Sequence, residues 1–197
     1  MLTLAFDTAT SVTTVALVGD TGVLGERVST PGRLLADADE LLREHGAAPS
    51  ELARVVVGTG PGSFTGIRIG LAAARGLSFS LSIPVAGVST LDALAAAGPR
   101  VVPVIDAKRK EVFALVEGAR CLAPAELEPT PGTTYVGDGA VRYRAILETR
   151  GADVPPDDSP LHVPWASHHV ALAREFGPAE NVEPIYLRVP DAEAKAP

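Results

Sequence analysis

Asp7-Thr8-Ala9-Thr10 closes the first apolar run of the sequence and is the first place where chemistry could occur. A carboxylate, two hydroxyls and turn N–H groups are the parts that hold hydrated magnesium and a phosphate. Asp and Thr are also ordinary choices for a hairpin turn, so both readings stand at this point. Asp106 follows the apolar run Val101–Ile105 in a mirrored position, which strengthens the first reading. Asp7, Thr8, Thr10 and Asp106 thus make a candidate nucleotide site. Hydrolysis would further need a base and an intact second phosphate loop. Neither is evident, so a surviving site would be vestigial.

The most distinctive segment is Gly58-Thr59-Gly60-Pro61-Gly62-Ser63-Phe64-Thr65-Gly66. A glycine-rich turn entering a helix can cradle anions. Here no Lys-Ser/Thr pair follows the glycines, their spacing is not the dinucleotide fingerprint, and Pro61 removes an N–H donor. A connection that packs a helix tightly on a sheet is the better account. Ser63 lies in no Gly-x-Ser-x-Gly elbow, which argues against a serine hydrolase. His45, His162, His168 and His169 form no zinc pattern. The adjacent pair His168-His169 points to different sides of a helix, and both are expected at the surface or lightly packed. Cys121 is expected to be a small apolar filler. No metal or cofactor is expected.

These residues need elements to position them. Hydrophobic residues make up 46% of the chain and aromatics only 5%, so the core must be built from Ala, Val, Leu and Ile. Three strand-like runs, Leu2–Asp7, Val12–Val18 and Val23–Val28, read as an antiparallel meander with a hairpin at Gly19-Asp20-Thr21-Gly22. A helix over Arg33–His45 follows, then a buried strand Arg54–Gly58 and a helix Thr65–Leu81. A strand at Pro84–Gly87 and a short helix Ser89–Ala97, capped by Ser89 or Thr90, complete this half. The order β-β-β-α-β-α-β is the ribonuclease H-like arrangement used by actin-type ATPases. Arg100–Asp106 and Glu111–Glu117 would begin a degraded second copy, with helices at Val141–Arg150 and Trp165–Phe176.

Only Pro31, Pro49, Pro61 and Pro84 of the 17 prolines precede residue 99, so the second half is looser and richer in loops. The expected division is an N-terminal actin-like subdomain, 1–99, and a degraded second subdomain, 100–197, whose C-terminal segment packs back. The fold class is α/β, two lobes with mixed sheets flanked by helices. Apolar stretches fall short of the roughly 20 residues that cross a bilayer, and no leader pattern opens the chain. A cytoplasmic location, with no membrane partner, is expected. The net charge of −7 repels RNA overall, although Lys108, Arg109 and Lys110 offer a local basic patch.

Two helices carry a further signal. Leu34, Leu35, Ala38, Leu41 and Leu42 fall on one face of the first. In the second, Gly66, Gly70 and Ala74 recur every four residues beside Ile67 and Leu71. An internal glycine costs about 1 kcal/mol of helix stability relative to Ala, so close approach of another helix is the natural compensation. That helix could belong to this chain or to another.

Several segments together resemble the TsaB family. They are Leu4–Thr10, Gly58–Gly70 with its Gly-Pro-Gly-Ser-Phe-Thr-Gly core, Gly87–Leu91, Ile105–Val112 and Pro184–Arg188. The resemblance implies an actin-like fold related to TsaD, and a non-catalytic subunit that supports threonylcarbamoyl transfer to the tRNA adenosine next to the anticodon. It implies pairing with a TsaD homologue through the first two helices, with Leu34, Leu35, Ala38, Leu41, Leu42, Gly66, Ile67, Gly70, Leu71 and Ala74 at the interface. Gly70→Leu is then expected to abolish pairing while the monomer stays folded. A TsaE-like ATPase would join the larger complex, a homodimer of the free chain stays open, and tRNA would be met only indirectly. TsaD-like proteins bind metal through a His-x-x-x-His pair, which this sequence lacks. It also has Thr30-Pro31-Gly32-Arg33 where family members often carry a His. The rival readings are a stand-alone actin-fold ATPase or phosphotransferase using Asp7 and Asp106, and a metalloprotease relative without ligands.

Overall fold

The computed structural model describes residues 1–188. Five strands form the first sheet: β1 (Leu2–Asp7), β2 (Thr13–Gly19), β3 (Gly22–Ser29), β4 (Leu52–Gly58) and β5 (Val85–Val88), in the order β3-β2-β1-β4-β5. The first three run antiparallel, and the hairpin turns where Gly19 pairs with Gly22. β4 lies parallel to β1, and β5 parallel to β4. Parallel neighbours need crossovers, and the helices α1 (Leu34–Glu44) and α2 (Phe64–Leu81) supply them. This is the expected ribonuclease H-like order of the actin-like fold.

The pleat sorts the side chains. Leu4, Phe6, Val15, Leu17, Val55 and Val57 face α1 and α2 in one cluster. Ala5, Ala16 and Val56 face the other way, under α6 (Ala166–Leu172). β4 is thus buried on both faces, which is why its Val run shows no alternation. Each fully buried Leu, Ile or Phe contributes roughly 1.5–3 kcal/mol.

α3 (Thr90–Ala95) leads out of the first sheet, capped by Ser89, whose hydroxyl accepts from the Asp92 N–H at 3.3 Å. The second sheet holds β6 (Val101–Lys108), β7 (Glu111–Leu115), β8 (Ala119–Leu122) and β9 (Thr134–Val136), in the order β8-β7-β6-β9. β8 and β9 are additional to the strands expected from sequence. The helix expected over Val141–Arg150 is two short ones, α4 (Asp138–Arg142) and α5 (Arg144–Thr149), which meet where Tyr143 leaves helical geometry at φ −108. The helix expected to reach Phe176 ends at Leu172, and Gly177 bridges to Val85 at the edge of the first sheet. All strands of the first sheet precede residue 99 and all of the second follow it, while α6 lies against the first sheet. The expected second subdomain runs on to residues 189–197, which lie outside the described residues. No helix of the described residues is long and apolar enough to cross a membrane.

Candidate functional site

β1 delivers Asp7 to the end of the first sheet, where the residue is only 1% exposed. Three groups converge on its carboxylate. The Ala9 N–H donates to Oδ1 at 2.6 Å, the Thr90 hydroxyl to Oδ2 at 2.6 Å, and His169 Nε2 lies 2.8 Å from Oδ2. Burial pushes the Asp7 pKa up, but the hydrogen bond and charge of His169, with the bonds from Thr90 and Ala9, outweigh it. The carboxyl is held below its ordinary 3.8.

His169 itself corrects the sequence reading that put it at or near the surface: it is wholly buried. Its Nδ1 lies 3.0 Å from the Trp165 carbonyl, so the ring is held between that oxygen and the Asp7 carboxylate. The signal was present. His169 stands three residues after Ala166 and four before Ala173, on the helix face that meets the sheet. His168, on another side, reaches the Ala93 carbonyl at 2.9 Å.

The rest of the first turn is sealed by the glycine-rich segment. The Thr8 hydroxyl donates to the Gly66 carbonyl at 2.7 Å, and the Thr10 hydroxyl lies 3.3 Å from the Val12 carbonyl. The Ser63 N–H donates to the Ala9 carbonyl at 2.6 Å. A Cβ on Gly62 would overlap the Ala9 carbonyl, one on Gly66 the Thr8 carbonyl, and one on Gly70 would lie 2.6 Å from the Thr8 hydroxyl. Real side chains do not come that close. The glycines therefore let α2 press against the β1 turn.

Asp106 ends the matching run of the second sheet and is 9% exposed. It accepts from the Lys108 N–H at 2.9 Å and from Lys108 Nζ at 2.8 Å, with Arg142 Nη1 at 3.5 Å. Asp138 bridges the two turns, accepting from the Asp106 N–H at 3.0 Å and the Ser11 N–H at 3.3 Å. Asp7 and Asp106 are thus held by separate sets of partners. Among the described residues no group of three or more His, Cys, Asp or Glu could hold a metal ion.

The expected interface residues need a correction. Leu34, Ala38, Leu41, Leu42, Ile67, Gly70, Leu71 and Ala74 are buried, most of them in the cluster that also holds Leu4, Phe6 and Val57. Their face of α1 and α2 is the chain's own core, because both helices must cover the apolar side of one sheet. Gly66 is half-buried against Thr8, and only Leu35 stands out, at 62% exposure. The opposite face of α2 was missed. Ile69, Ala72, Gly76 and Phe79 recur at helical spacing and are all exposed, Phe79 at 90%. A Cβ on Gly76 would meet nothing within 4 Å. Nothing among the described residues requires a glycine there.

The model of the family described as TsaD: tRNA N6-adenosine threonylcarbamoyltransferase matches residues 31–135. An uncharacterised protein of Mycobacterium bovis is 36% identical, over 98% of this chain and 94% of its own length. The Bacillus subtilis tRNA threonylcarbamoyladenosine biosynthesis protein TsaB is 30% identical, over 99% of this chain and 97% of its own. Among solved structures, a Pseudomonas aeruginosa protein described as similar to peptidase YEAZ superposes with a TM-score of 0.80 at 29% identity. That likeness covers 95% of this chain and 99% of the other.

Proposed function

Since the chain belongs to the TsaB family, we propose that it is the non-catalytic partner subunit of a TsaD homologue. In that role it supports threonylcarbamoyl transfer to the tRNA adenosine next to the anticodon, in a complex that a TsaE-like ATPase joins. Its contact with the TsaD homologue runs through the outer faces of α1 and α2, with Leu35, Ile69, Ala72, Gly76 and Phe79 at the centre.

The observation that carries this reading is Gly76. A glycine inside a helix costs about 1 kcal/mol relative to Ala, and no contact among the described residues offsets it here. Flanked by Ala72 and the exposed Phe79, it leaves a shallow strip where another helix can approach closely, with an aromatic anchor beside it. The non-catalytic assignment is supported by the first turn, where Asp7, Thr8 and Thr10 are all bonded within the chain. A phosphotransferase would need those groups free for its ligand.

Co-purification with the TsaD homologue of the same genome tests the proposal. The wild-type chain is expected to form a stoichiometric complex, and Phe79→Asp to lose it while staying folded, since Phe79 packs on little of its own chain. Retention of the complex by Phe79→Asp would contradict the assignment of this face.

A further inference from the structure

One exposed turn runs against the chain's net charge of −7. Lys108, Arg109 and Lys110 join β6 to β7 and are all exposed. All three have left-handed backbone, with φ of 62, 53 and 64. Residues with a Cβ enter that region at an energetic cost, and a run of three persists only where the surroundings fix it.

The fixing contacts come from both sides. On one, the Asp106 carboxylate holds the Lys108 N–H at 2.9 Å and Nζ at 2.8 Å. On the other, Arg188 donates to the Ala107 carbonyl at 3.0 Å and pairs with Glu111 at 2.6 Å. Arg142 of α4 is drawn to the same Asp106 carboxylate at 3.5 Å. The side chains of Lys108 and Arg142 nonetheless remain 70% and 58% exposed. The turn is thus pinned by its backbone and base while it presents charge to water.

Acidic residues elsewhere on the surface do not decide what such a turn meets. At physiological salt a charge is screened over about 8 Å. Among the described residues, a ligand at the turn therefore senses Lys108, Arg109, Lys110, Arg142 and Arg188 against Asp106, Glu111 and Asp138. The balance there is positive. The cations lie on an exposed turn and the helix beside it, a layout that suits a charged polymer laid across them better than an enclosed small molecule. We infer that this turn, with Arg142, is a contact surface for the phosphate backbone of RNA, an inference that rests on the tRNA-directed function proposed above. It replaces the expectation that the chain meets tRNA only through its partners.

The test uses the full chain in complex with the TsaD homologue, titrated with tRNA of the same organism at several salt concentrations. The double variant Lys110→Gln with Arg142→Gln removes two cations and leaves the Asp106–Lys108 bonds in place. It is expected to assemble normally, to bind tRNA about tenfold more weakly, and to show a log–log salt slope shallower by about 1 to 2. Unchanged affinity and slope in an intact complex would overturn the inference. Loss of the complex would overturn it too, because the turn would then be a protein contact. ATP and inorganic phosphate are expected to displace tRNA no more than their ionic strength accounts for. Selective displacement by ATP would make this a nucleotide site and overturn the RNA assignment. If the wild-type chain does not pair with the TsaD homologue, the functional reading fails, and the same titration is run on the chain alone. A slope difference between wild type and variant then upholds the surface, and identical slopes overturn it.

Discussion

The turn after β1 and the turn after β6 occupy matched places in the two sheets. In each, an Asp closes the apolar run of a central strand: Asp7 is the last residue of β1, and Asp106 stands two residues before the end of β6. Each strand has an antiparallel neighbour on one side and a parallel one on the other. Their fates differ. Asp7 is enclosed by Thr90, His169 and the glycine-rich segment, so its carboxylate has become part of the core. Asp106 received no buried histidine. It gathers Lys108 and Arg142 from the surface and anchors a turn that faces water. An Asp at the close of matching apolar runs becomes a packing element or a surface anchor according to what the remote chain brings to it.

The comparison can be broken at Asp7. His169→Leu would leave a buried carboxylate without its ionic partner, at an expected loss of about 3–5 kcal/mol in urea unfolding. The acid limb of stability should report the same carboxylate. Its folded pKa lies below 3.8, so its contribution is complete above that value and is lost as pH falls through the folded pKa. His169→Leu should weaken that dependence in a pH series of unfolding midpoints. At Asp106 the effect should be the smallest. Asp106→Asn keeps an acceptor for the Lys108 N–H, and its cationic partners are largely exposed, so a loss of at most about 1 kcal/mol is expected. Equal losses at the two positions would remove the distinction.

Local sequence made the first half legible. The meander, the hairpin at Gly19–Gly22, the helices α1 and α2 and the Ser89 cap all come from patterns a few residues long. β9 is only three residues, too short for an alternation to register, and β8 follows its hairpin over only four. The Asp7–His169 pair spans 162 positions, so no local pattern could announce it. The glycines of α2 were informative and still ambiguous. Gly66 and Gly70 do mark a close approach, but the approaching atoms are Thr8 of the same chain. Sequence reports that something small is needed and is silent on what comes near.

The two glycines on opposite sides of α2 give the most direct test of the central claim, that the inner face is core and the outer face meets the partner. Gly70→Leu and Gly76→Leu would be compared for urea stability of the free chain and for complex formation with the TsaD homologue. Gly70→Leu is expected to lose about 1–3 kcal/mol or more through overpacking against Thr8. Gly76→Leu should leave the free chain at least as stable as wild type and abolish the complex. A Gly76→Leu chain that pairs normally, or a Gly70→Leu monomer of undiminished stability, would contradict the account.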